Sequence, residues 1–276
     1  MVTQGKHTRY GGYMVYNTKI IDYGDYYHIE WFDRHIIRKE EDEKTKEILL
    51  KAKKTEVLED CQPDYIDYKD PEKAEHSLQT SVNRSKNKLF RIARSNKDWE
   101  YFVTLTFDRV KNDSSDYQVI SKVLSGYCDK LRRRNPNFKY LFVPELHKDK
   151  KHYHFHGLVA HVDLDLIDSG HKDQDGNIIY NIPYWSDTYG FNYVQKIKDQ
   201  SAVRNYIGKY ITKELMNRLK YKKRYYASEN CNVADEDLRE MTIDDIYQLY
   251  ADKITHAKTI TVDHVNRIKY FEVKKD

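Results

Sequence analysis

The sequence predicts an α+β fold, a central antiparallel β-sheet with flanking helices, and two patterns along its 276 residues carry that expectation. From residue 79 onward the periodicities run helix, strand, helix, strand, strand, strand, helix, so strands and helices are interleaved. Two of those strands, Lys139–Glu145 and His152–His161, are separated only by the turn LHKDKK, which suits an antiparallel hairpin.

Taken in order, residues 12–38 are rich in Tyr, Ile and Val, carry a turn signal at Gly24-Asp25, and read as strand-like. Residues 39–60 are charge-dense and read as a solvated hairpin, short helix or linker, and Pro63 and Pro71 punctuate the next segment. Residues 79–95 have helical spacing with a basic face of Arg84, Lys88 and Arg91. Tyr101–Phe107 is a β-branched and aromatic run, hence a buried strand. Residues 116–134 form a second helix that ends in Arg132, Arg133 and Arg134 ahead of Asn135-Pro136. After the hairpin, Gly190–Ile197 is a further strand, and Ser201 caps a helix that runs to the basic stretch Lys220–Arg224. A short strand, an acidic helix around 235–252 and two strands near 258–274 complete the chain. The expected organisation is an N-terminal β-rich and charged extension (1–78), a central domain (79–230), and a C-terminal segment (231–276) packed on that domain.

Composition narrows the function without deciding it. The net charge is +4, a mild basic excess that permits nucleic-acid binding, and 25 tyrosines could stack on unpaired bases or simply pack in strands. Cys61, Cys128 and Cys231 are far apart and form no CxxC pair, which argues against a disulfide framework or a cysteine zinc site. No apolar run approaches a membrane span, and the first residues lack the apolar core of a signal peptide, so a cytoplasmic protein with no membrane partner is expected.

The chemistry concentrates in two places. In His152-Tyr153-His154-Phe155-His156, strand alternation sends the three imidazoles to one side, where two neutral imidazoles make a platform for a divalent metal. Glu145 on the preceding strand can lie across from them, and two imidazoles with one carboxylate suit Mn²⁺ or Mg²⁺ bound to phosphate. The bland alternative is a polar strand facing solvent. Further along, Tyr206 and Tyr210 share one face of a helix, with Lys209 and Lys213 on the neighbouring face. A phenol with a pKa near 10 is a poor nucleophile at neutral pH, and a metal-polarised phosphate with a lysine nearby would favour attack by phenolate. The alternative there is a helix whose tyrosines pack on the sheet while its lysines face water.

Together, Phe102-Val-Thr-Leu-Thr-Phe107, Pro144-Glu-Leu-His followed by His154-Phe-His156, and Tyr206-x-x-Lys-Tyr-x-x-Lys213 resemble the HUH endonuclease superfamily. Their order is similar to that in rolling-circle replication initiators of phages, viruses and plasmids, and the doubled tyrosine is similar to the two-tyrosine branch. The resemblance covers about residues 79–230. It implies an α+β sandwich related to the RNA-recognition motif, and an enzyme that nicks single-stranded DNA, holds it as a 5′-phosphotyrosine and later rejoins it. It implies His154, His156 and Glu145 as metal ligands, the histidine pair being chosen because Gly157-Leu-Val comes next; His152 and His147 remain alternatives. It implies Tyr206 as nucleophile, Tyr210 as the second tyrosine, and Lys209 and Lys213 as their companions, while Thr104 and Thr106 mark a structural central strand. Arg84, Lys88, Arg91, Arg132, Arg133, Arg134, Lys222, Lys223 and Arg224 are candidate DNA contacts. The sequence has no GxxxxGK[ST] loop, so a host helicase and polymerase, in a bacterial cytoplasm, are the expected partners alongside single-stranded DNA or an origin hairpin. A non-catalytic single-strand-binding protein, or another HUH enzyme such as a transposase or relaxase, is the competing reading.

Overall fold

The computed structural model describes residues 8–10, 12–39, 71–200, 207, 219, 222–262 and 266–275. In chain order its elements begin with β1 (Thr8–Tyr10), β2 (Tyr13–Asp22), β3 (Tyr26–Lys39), helix α1 (Pro71–Ser95) and β4 (Tyr101–Thr106). Helix α2 (Tyr117–Arg134) leads to β5 (Lys139–Leu146), β6 (Tyr153–Ala160), β7 (Ile167–Lys172) and β8 (Ile178–Asn181). The short helix α3 (Pro183–Thr188) precedes β9 (Asn192–Lys196), and β10 (Tyr226–Ala227) and β11 (Glu236–Arg239) lead to α4 (Ile243–Tyr250), β12 (Ile254–Val262) and β13 (Asn266–Lys274). The fold is α+β with two antiparallel sheets. Among the described residues no helix is long and apolar enough to cross a membrane.

The chain divides into two compact units, residues 1–58 with 234–276, and residues 59–233. In the first, β2 and β3 form a hairpin at Gly24, whose φ of 91° suits glycine, and whose N–H donates to Asp22 Oδ1 at 2.7 Å. The C-terminal strand β13 pairs with β3, and a six-stranded sheet results. Residues 231–276, expected against the central domain, thus have their strand pairings with the N-terminal segment. Nor is 235–252 one helix: Glu236–Arg239 pair with β2, and the helix starts only after Thr242, which forms a capping box with Asp245.

In the second unit seven strands lie in the order β10-β5-β6-β4-β9-β8-β7. Helix α2 buries Tyr117, Ile120, Leu124, Tyr127, Cys128 and Leu131, positions that recur at three- and four-residue intervals and make one apolar stripe. That stripe and α3 cover one face of the sheet: Tyr117 packs on Tyr153, and Trp185 packs on Phe107, which in turn meets Phe155. The odd-numbered side chains of β6 therefore enter this core, and His154 and His156 point to the opposite face. Segment 162–189 shows no clear period in the sequence. It folds through a turn at Asp173, which accepts from Asp175 N and Asn177 N, and through Trp185, which is fully buried.

Gly157, directly after the histidine pair, faces Phe142 across the β5–β6 ladder. A Cβ there would sit 2.2 Å and 2.3 Å from two ring carbons of Phe142, itself buried and unable to swing aside. Gly157→Ala is expected to cost about 1–3 kcal/mol of stability by overpacking. Urea denaturation measures this, and an unchanged midpoint would contradict the packing described.

Candidate metal centre

The centre is built by register. Across β5–β6, Glu145 is the direct partner of His154, and Val143 that of His156. Across β6–β4, His154 faces Thr106 and His156 faces Thr104. Direct cross-strand partners share a sheet face, so one carboxylate and two imidazoles converge. Glu145 Oε2 lies 2.9 Å from His154 Nε2 and 2.7 Å from His156 Nε2, and the two nitrogens are 2.8 Å apart. Both imidazoles are buried, and Glu145 is half-buried.

Burial pushes the Glu145 carboxyl upward, but hydrogen bonds from His154 and His156, with their charge, outweigh it and hold the group at about 2. It is therefore ionised throughout the neutral range. Three potential acceptor atoms this close need positive charge among them, supplied by protons or by a cation. Neighbouring ligands of an octahedral ion at about 2.1 Å stand roughly 3.0 Å apart. The observed triangle is close to that, and the donor set fits a divalent cation with positions left open for water and phosphate.

The outer nitrogens of the two histidines differ. His156 Nδ1 lies 3.0 Å from Thr104 Oγ1, and the ring stacks on Phe102 with centroids 5.8 Å apart. For Nε2 to offer its lone pair to a cation, Nδ1 must carry the proton and donate it to the threonine. Thr104 therefore sets the orientation of a ligand, a role that its place in a strand-forming run conceals. His154 Nδ1, by contrast, is buried with no hydrogen-bond partner among the described residues.

The two alternative ligands stand outside the triangle. His152 precedes β6, so strand alternation does not reach it, and its Nδ1 is 2.7 Å from Asp149 Oδ2. His147 packs its ring 4.4 Å from that of His154 but adds no atom to the convergent set.

Tyr206, Tyr210, Lys209 and Lys213 lie outside the described residues; their neighbour Ile207 is buried in the domain core. Of the expected DNA contacts, Arg84 is exposed on α1, with Lys88 and Arg91 half-buried. Arg132 and Arg134 pair with Asp129 and Asp165, and their helix enters β5 at Lys139, roughly 20 Å of strand away from Glu145. With Arg133 they mark the far end of the sheet rather than the flank of the centre. Lys222 and Lys223 lie over the rings of Tyr117 and Tyr226. Arg224 must be corrected. It is buried, and its guanidinium donates to Ser81 O at 2.9 Å and to the hydroxyls of Ser81 and Ser85, which makes it a strut to α1. Cations that the sequence does not single out stand beside the centre: Lys148, Lys150 and Lys151, exposed in the turn between β5 and β6. In sequence the run KDKK reads only as a turn.

Residues 100–215 match a family model of replication-associated proteins, the ORF2 type. The matched segment contains β4, β5, β6, the whole convergent triad, and both tyrosines of the later motif. No curated protein and no solved structure matches the chain. The family match supports a role in the initiation of DNA replication.

If Thr104 orients His156, Thr104→Val should weaken Mn²⁺ binding about 10- to 100-fold while Thr104→Ser keeps it near wild type. Titration of free Mn²⁺ by electron paramagnetic resonance reads this directly. Equal affinity in all three proteins would show that the hydroxyl does not orient the ligand.

Proposed function

We propose that this chain initiates rolling-circle replication by nicking single-stranded DNA and holding the new 5′ end on a tyrosine. The observation that carries the reading is the convergence of Glu145, His154 and His156 inside the segment similar to replication-associated proteins. A Mn²⁺ or Mg²⁺ ion held by these three side chains would polarise the scissile phosphate and offset charge that builds on its oxygens. Glu145, ionised at neutral pH, supplies the anionic ligand, and Thr104 keeps His156 in the tautomer that faces the phosphate.

The nucleophile in this reading is the Tyr206 phenol. Its oxygen forms a bond to phosphorus, the bond from phosphorus to the 3′ oxygen breaks, and the 3′ oxygen leaves and takes a proton. The products are a 5′-phosphotyrosine and a free 3′ hydroxyl that a host polymerase can extend. Lys209 and Lys213 favour the phenolate by their charge. Tyr210, one helical turn away, is free to attack when a round of synthesis regenerates the junction, and reversal of the same exchange rejoins the strand. Unwinding by a host helicase fits a sequence without a nucleotide-binding loop.

Incubation with a labelled pool of randomised single-stranded oligonucleotides and Mn²⁺ should give a covalent adduct that survives a denaturing gel. EDTA and the double variant His154→Ala/His156→Ala should each abolish it. Tyr206→Phe should remove or greatly slow the first nick, and Tyr210→Phe should spare that nick and impair strand transfer. Peptide mapping that finds the nucleotide on neither tyrosine, or an adduct that forms in EDTA, would overturn the reading.

A further inference from the structure

The convergent triad lies at one end of the sheet, where β4 and β5 finish and β6 and β9 begin. Immediately before β9, at that same end, stands Phe191. It is 64% exposed, far more than a phenylalanine beside a well-packed core requires. A single exposed apolar residue is ordinarily unremarked, so its position and support matter more than its exposure.

Position follows from pairing. Thr106 N donates to Phe191 O at 2.8 Å, which extends the β4–β9 register by one step beyond Leu105–Asn192. Asn192 turns into the helix-covered face, where its amide bonds Ile182 and Ser186. By alternation Phe191 projects to the other face, which is that of His154. Phe191, Thr106, His154 and Glu145 thus form one row across four strands, and two inter-strand steps put Phe191 about 10 Å from His154.

Support comes from the backbone. Gly190 has φ 142°, and a Cβ on it would meet Asp108 N at 2.3 Å and Phe107 C at 2.8 Å. Asp108 N donates to Tyr189 O, and Gly190 N to Trp185 O. Phe191 is therefore an exposed ring on an immobilised main chain, a flat surface that costs little to order on binding.

Charge supplies the last element. Lys148, Lys150 and Lys151 in the β5–β6 turn, with Arg109 and Lys111 just after β4, are exposed at this end of the sheet. Arg109 pairs with Asp149, and Lys111 donates to Asp187 O. A rigid aromatic face beside a basic rim is the chemistry that receives a single strand: bases stack and phosphates are neutralised.

We propose that Phe191 is the stacking platform for an unpaired base next to the phosphate seated at Glu145, His154 and His156. This deepens the initiator reading and rests on it. The probe is fluorescent oligo-dT carrying one 2-aminopurine, with binding measured by anisotropy and stacking by quenching. Phe191→Ala and Phe191→Leu should each weaken binding about 5- to 150-fold and relieve the quenching. Phe191→Trp should retain both, and all three variants should bind Mn²⁺ as the wild type does, which shows that the fold and the centre are intact. The leucine variant keeps apolar bulk without a π-face, so it separates stacking from packing. Wild-type affinity and quenching in both Phe191→Ala and Phe191→Leu would overturn the platform while leaving the initiator reading in place. A wild-type protein that binds Mn²⁺ but neither binds oligo-dT nor forms an adduct would overturn both.

Discussion

The register of β5, β6 and β4 is the constraint on which the rest depends. Glu145 meets His154 and His156 because position 145 is paired with 154 rather than with 153 or 155. A slip of one residue would turn both imidazoles into the apolar core and bring Tyr153 and Phe155 out of it. The buried partners of Phe155, among them Phe107 and Tyr226, resist that slip. The packing on one face of the sheet thereby holds the chemistry on the other.

The same arrangement explains why the centre can be polar and buried at once. Two imidazoles and a carboxylate within hydrogen-bonding distance would be costly if left unpaired. Here each bonds the others, Thr104 takes the outer nitrogen of His156, and Phe102 covers one ring. Gly157 admits Phe142 immediately after the last ligand, so the small residue after the histidine pair has a packing reason.

Much of this is legible in the sequence because it depends on strand period alone. Alternation in residues 153–156 and the short turn before them place His154, His156 and Glu145 without any knowledge of the fold. His152 is misplaced by that reasoning because alternation holds only inside a strand, and the strand starts at Tyr153. Thr104 and Phe191 carry no signal of their own; their meaning comes from partners 52 residues away and from a neighbouring strand. Arg224 shows the opposite error, since a basic run looks solvated until one member is found bonded to serines on a distant helix. The second sheet is hidden for a similar reason: β3 and β13 are far apart in the chain, and nothing local links them.

The central claim is that Glu145, His154 and His156 hold a divalent cation. Pulsed electron paramagnetic resonance of bound Mn²⁺ addresses it at the level of ligand atoms. Modulation from two histidine nitrogens is expected in the wild-type protein, from one in His154→Ala or His156→Ala, and from none in the double variant. Bound Mn²⁺ without nitrogen modulation, or modulation unchanged in the double variant, would contradict the account.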